Sequence, residues 1–177
     1  MGRSRVTRSI AKSVTFGLYS DPVDYDLLSQ QVRALLEDES DFIANCANFS
    51  AFVGYEIPDL NWAGFYFAQP DGELVLGPFF GKPACTRLAP GRGVCGKAYT
   101  SEETVVVDDV HQFSDHIACD SSSRSEIVVP LRDERGVYGV FDIDAPVVAR
   151  FTDEDRVGIE KLVAAFMASV RSSAIAS

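Results

Sequence analysis

Residues 61–68 read NWAGFYFA, and their side chains alternate between two sets, Trp62, Gly64 and Tyr66 against Ala63, Phe65 and Phe67. Period-two alternation in an aromatic-rich run is what a β-strand demands, and it places Trp62 and Tyr66 on one face. Asp71-Gly72 then signals a tight turn, and ELVLGPFF at 73–80 supplies the partner strand of a hairpin. A chain that must bury both faces of such a hairpin needs cover from its other segments.

That cover is legible on either side. After Asp21-Pro22, the apolar positions Tyr25, Leu28, Val32, Leu35 and Leu36 follow helical three-and-four spacing. The pattern restarts near Asp41 with Phe42, Cys46, Phe49 and Val53 and stops near Gly54 and Pro58. Cys46 falls on this stripe and is read as core filler. Gly91-Arg92-Gly93 leads into a short helix near Cys95. TVVVDDV and EIVVPL read as strands separated by a loop from His111 to Ser125. A turn from Asp133 to Gly136 precedes VYGVFDIDA, whose alternation predicts Tyr138, Val140, Asp142 and Asp144 on one side and Val137, Phe141 and Ile143 on the other. Thr152 with Asp155 resembles a helix-opening cap for a terminal helix carrying Ile159, Leu162, Val163, Phe166, Met167 and Val170. These elements predict an α+β fold, a central antiparallel sheet with the N- and C-terminal helices packed on one face.

The chain has 177 residues, 46% of them hydrophobic, which suits one domain with a single sizeable core. The expected division is a basic tail over 1–20 and a folded body over 21–177. Acidic side chains outnumber basic ones 26 to 16, and four of the basic ones, Arg3, Arg5, Arg8 and Lys12, precede the first acid, Asp21. A body of net negative charge repels nucleic acid and anionic membrane, so neither is expected as a partner. No run approaches the ~18 apolar residues of a membrane span. The Arg- and Ser-rich start overlaps transit-segment composition, but an ordinary tail and a cytoplasmic setting are the preferred reading, with organellar targeting as the alternative. Four widely spaced cysteines without a secretory signal fit a reducing compartment.

Three of those cysteines, Cys85, Cys95 and Cys119, interrupt GKPACTRLAP, GRGVCGKAYT and DHIACDSSSR. Cys119 is followed by Asp120, three serines and Arg124, poor company for a core thiol. Cys95 near a helix N-terminus and Cys119 close to His116 and Arg124 are expected to have lowered thiol pKa values. A zinc site on Cys85, Cys95, His111, His116 and Cys119 is the rival reading, and the wide spacing argues against it. Asp142 and Asp144, at i and i+2 on one strand face, lie about 7 Å apart. Burying both is costly unless a cation or a proton relieves them, and a ligand ammonium is one such relief. The alternative places them at a fraying strand end as backbone caps. Glu126 is placed to join them, while Trp62 and Tyr66 offer an aromatic wall for an apolar or sulfur-containing chain.

The blocks NWAGFYF, LGPFFGKPACTRLAPGRGVCGKAY, VVVDDVHQFSDHIACDSSSRSEIVVP and GVFDIDAP, in this order, resemble the free methionine-(R)-sulfoxide reductases, small GAF-domain enzymes. The similarity runs from about Tyr25 to Val163. It implies that Cys119 is the nucleophile, that Cys85 resolves its sulfenic acid as a disulfide, and that Cys95 is an alternative or second resolving thiol. It also implies that Trp62 and Tyr66 line the substrate pocket and that Glu126, Asp142 and Asp144 contact the substrate's polar groups. A thioredoxin-like reductant, a homodimer and no metal or other cofactor are further expectations. The competing expectation is a non-catalytic small-molecule or redox sensor on the same domain, since fold alone does not choose between them.

Overall fold

The computed structural model describes residues 22–114 and 121–175, so the predicted tail, His116 and Cys119 lie outside the described residues. Eleven elements follow in order: α1 (Tyr25–Leu36), α2 (Phe42–Glu56), β1 (Trp62–Ala68), β2 (Leu74–Gly81), β3 (Arg87–Leu88), α3 (Gly93–Ser101), β4 (Val105–Val107), a 3-10 turn (Val110–Gln112), β5 (Ser125–Asp133), β6 (Gly136–Ala145) and α4 (Asp153–Ile175). The six strands form one sheet in the order β3-β2-β1-β6-β5-β4, antiparallel at every junction. This is the predicted α+β architecture. No helix among the described residues is long and apolar enough to cross a membrane.

Helices α1, α2 and α4 cover one face of the sheet. Val32, Leu36, Cys46, Phe49, Val53, Phe65, Ile127, Phe141, Ile143, Ile159 and Phe166 are buried together there. Phe49 is the hub, with ring centroids 4.8 Å from Phe141 and 4.9 Å from Phe166. The helix starts follow from short polar side chains. Asp24 accepts from the Leu27 amide at 2.9 Å and Asp41 from the Ala44 amide at 2.8 Å, satisfying N–H groups that a first turn leaves unpaired. At the start of α4, the Thr152 hydroxyl accepts from the Asp155 amide, while the Asp155 carboxylate accepts from the Thr152 amide and hydroxyl. Asp155 also accepts from the Tyr25 hydroxyl at 2.6 Å and pairs with Arg150 at 3.2 Å, tying α1 to α4. Burial works against the Asp155 charge, but these hydrogen bonds and Arg150 outweigh it and hold its pKa below the usual value.

The other face carries α3 and a second cluster built on Trp62, Tyr66, Leu74, Val94, Cys95, Val128 and Val140. The predicted alternation of β1 is borne out, since Phe65 and Ala63 go to one cluster and Trp62 and Tyr66 to the other. Pro78 sits within β2, opposite a register shift between Gly64 and Tyr66 that accommodates a residue unable to donate to the ladder. In β6 the expectation fails at one position. Pairing steps from Leu131↔Gly139 to Arg132↔Val137, which leaves Tyr138 as an extra, bulged residue. Tyr138 therefore packs against the helical face, with its hydroxyl 3.0 Å from the Met167 sulfur, and does not share the face of Asp142 and Asp144.

Candidate active site

Sheet register assembles the site. Trp62 on β1 pairs with Asp144 on β6, which pairs with Glu126 on β5, so three chemically loaded residues form one row across three strands. Two residues along the same face, Gly64 pairs with Asp142 and Asp142 with Val128. Asp142 and Glu126 are both buried, at 6% exposure each, and with Asp144 they line one cavity. Trp62 and Tyr66 line it too, their rings stacked with centroids 5.9 Å apart. The fraying-end alternative for the two aspartates is thus set aside, since both are paired on either side within the sheet, Asp142 buried and Asp144 half-buried.

The polar ends of the two aromatics serve the loop that follows β2. The Trp62 indole N–H donates to the Lys82 carbonyl at 3.1 Å, and the Tyr66 hydroxyl donates to the Cys85 carbonyl at 2.9 Å. Pro83 and Ala84 reach the cavity, and Cys85, partly buried against the same cluster, is disulfide-bonded. Cys46 and Cys95 are free thiols. Cys46 is the predicted core filler, fully buried beneath the helices.

Cys95 enters from the opposite wall on the first turn of α3. Gly96 makes this approach feasible, because a Cβ there would lie 2.6 Å from the Gly91 carbonyl carbon. The GRGVCG run is thereby explained, with Gly91 at φ +69° closing the turn on which the helix rests. The expectation of a lowered thiol pKa is reversed at Cys95. Burial first, and then its acidic neighbours Asp142 and Glu126, push it well up. Its S–H is hydrogen-bonded to Asp142.

Burial also raises both carboxyl groups. Glu126 is pushed well above the usual carboxylate range by desolvation and then by its acidic neighbours, and Asp142 rises to about 7 for want of solvation. The side-chain hydrogen bond between the two raises Glu126 and lowers Asp142, which favours the shared proton on Glu126. One acid protonated beside one ready to ionise is a donor–acceptor pair. Asp142 Oδ1 is buried and has no hydrogen-bond partner among the described residues.

The register brings together five of the predicted site residues, Trp62, Tyr66, Glu126, Asp142 and Asp144, and α3 adds Cys95. The rival zinc set does not assemble among the described residues, where Cys85 is in a disulfide and His111 lies exposed in the 3-10 turn. Sequence reasoning missed Arg92 and Ser123, which also line the cavity. The Ser123 hydroxyl accepts from the Asn61 side-chain amide at 3.0 Å. Arg92 had a readable signal, standing immediately before a helix whose start faces the site. Ser123 had none within its serine run.

A GAF domain model matches residues 27–170. The protein YtsP of Bacillus subtilis is 54% identical over 133 residues, 75% of this chain and 82% of that one. The free methionine-R-sulfoxide reductase of Escherichia coli is 49% identical over 140 residues, 79% of this chain and 84% of its own length. Among solved structures, the Neisseria meningitidis free methionine-R-sulfoxide reductase in complex with its substrate superposes with a TM-score of 0.81 at 41% identity, covering 86% of this chain and 92% of that one.

Proposed function

The chain belongs to the GAF-domain family of free methionine-R-sulfoxide reductases, and from that premise we propose that it reduces free methionine-(R)-sulfoxide through Cys119, Cys85 and the acid cluster. The observation that carries the reading is the row Trp62–Asp144–Glu126 with Asp142 beside it, facing a cavity also lined by Pro83 and Ala84, next in the chain to the disulfide-bonded Cys85.

The cavity suits a zwitterion. Its acid wall of Glu126, Asp142 and Asp144 faces the ammonium, and Asp142 Oδ1 is an acceptor with no partner among the described residues. Arg92 and the N-terminal amides of α3 offer the carboxylate a positive environment. The stacked rings hold the methylene chain and its sulfur. A peptide-bound sulfoxide lacks both free termini and forfeits these contacts.

In the proposed reaction the Cys119 thiolate attacks the sulfoxide sulfur while Glu126, the acid that keeps its proton, protonates the oxygen. The oxygen passes to Cys119 as a sulfenic acid and methionine leaves. The Cys85 thiol displaces that oxygen as water and forms the disulfide. With Cys46 and Cys95 free, Cys119 is the partner we assign to Cys85, which makes Cys85 the main resolving thiol. Buried and held protonated by its acidic neighbours, Cys95 is poorly suited to attack. Two electrons return from an external dithiol of the thioredoxin type. A homodimer in the cytoplasm completes the proposal.

The test incubates the reduced chain with free methionine-R-sulfoxide, methionine-S-sulfoxide and a sulfoxide-containing peptide. Loss of the free R form alone is expected. Cys119→Ser abolishes turnover, and Cys85→Ser releases about one methionine per chain before recycling slows. Full steady-state activity in Cys119→Ser refutes the nucleophile assignment.

A further inference from the structure

Cys95 Sγ and one carboxylate oxygen from each of Glu126 and Asp142 lie within 4.8 Å of one another, all three residues buried and all three lining the cavity. Three potential anions have been gathered at one point of an already acidic chain. The second observation is independent of that crowding, since Asp142 Oδ1 is 94% enclosed with its residue and still lacks a partner among the described residues. A buried acceptor left open in a polar cavity calls for a donor or a cation to satisfy it.

The geometry points to an inhibitory metal site, in which a zinc-type divalent cation binds Cys95 Sγ, Glu126 and Asp142 from the cavity and excludes the substrate ammonium from the same oxygen. One thiolate with two carboxylates is a donor set for zinc or cadmium, whereas magnesium and calcium take oxygen donors alone. Three protein ligands leave a fourth tetrahedral position for water or another small ligand. The sheet places Glu126 and Asp142 on adjacent strands and α3 supplies the sulfur, so the donors sit on rigid elements and need only small side-chain adjustments. Binding replaces protons: the cation enters, Cys95 and Glu126 are deprotonated, and about two protons are released per metal.

The experiment uses the full chain carrying Cys85→Ser and Cys119→Ser, kept reduced by a non-chelating phosphine, so that the loop cysteines contribute nothing. Zinc is titrated against a chromophoric chelator, and cadmium is followed by its ultraviolet thiolate charge-transfer band. One zinc per chain is expected, together with a cadmium band. Adding Cys95→Ser removes the band, and Cys95→Ser or Asp142→Asn each weakens zinc by at least about 100-fold, the upper end of what losing even an outer-shell partner costs. Circular dichroism confirms folding, and if Cys95→Ser does not fold, Asp142→Asn decides. Substoichiometric zinc, or zinc affinity unmoved in a folded variant, overturns the proposal.

The exclusion of substrate rests on the function proposed above, and in the otherwise native chain zinc is expected to raise the KM for methionine sulfoxide without lowering kcat. The titration needs no turnover. A chain that reduces the sulfoxide but takes up no zinc refutes the metal site alone, and one that binds zinc through Cys95 without reducing the sulfoxide refutes only the proposed reaction.

Discussion

Asp142→Asn tests whether the acid cluster is as strongly desolvated as its placement implies. Asp142 ionises at about 7 in the folded chain against an ordinary value of 3.8. A folded pKa raised above the unfolded one contributes stability that is fully present below the unfolded value and is lost as pH rises through the folded value. At roughly 1.4 kcal/mol per pH unit the gap corresponds to about 4 kcal/mol, of which about 3 kcal/mol falls between pH 5 and pH 8. Asparagine keeps the shape and an oxygen able to accept from Cys95, but it has no proton to lose. The advantage of Asp142→Asn over the parent is therefore expected to grow by about 3 kcal/mol between pH 5 and pH 8. Any contribution of Glu126 largely cancels in this difference, and where it does not, loss of the neighbouring charge makes the growth larger. The assay is urea unfolding of both proteins at the two pH values with disulfides reduced throughout. A stability difference that does not change with pH refutes the argument that Asp142 is buried without charge compensation. Under the proposed function the same variant is expected to bind substrate poorly, because it lacks the negative charge assigned to the ammonium.

Tyr66→Phe removes the hydroxyl that holds the Cys85 carbonyl at 2.9 Å. Losing that bond costs about 1 kcal/mol, and it is expected to leave the first-cycle methionine burst intact while lowering steady-state kcat severalfold, as a stopped burst assay would resolve. Gly158→Ala drives a Cβ to 2.1 Å from the Tyr25 ring, where α1 crosses α4. Overpacking of this kind costs about 1–3 kcal/mol, measured as a drop in the urea midpoint, with the kinetics of the folded fraction unchanged.

Much of the fold was written locally. The two-residue period of NWAGFYFA, the helical stripes through Leu28 and Val32 and through Phe49 and Val53, and the Thr152–Asp155 cap each depend on neighbours within a few positions, and each appears where the pattern places it. Tyr138 shows the limit, because a bulge is set by how two strands pair and not by the alternation of one. The identities of the site residues were likewise legible as types: acids at i and i+2, aromatics on one strand face, cysteines in loops.

What the chain alone determined is which side chains share a strand face, since that follows from backbone geometry over a handful of residues. Only the tertiary structure decided that Trp62, Asp144 and Glu126 fall in one row, because register between strands far apart in sequence is a property of the whole sheet. It also decided the electrostatic character of Cys95. Its helix-start position suggests a lowered pKa, but its burial against the sheet, and then the carboxyl groups brought against it from β5 and β6, reverse the sign, since both disfavour the thiolate.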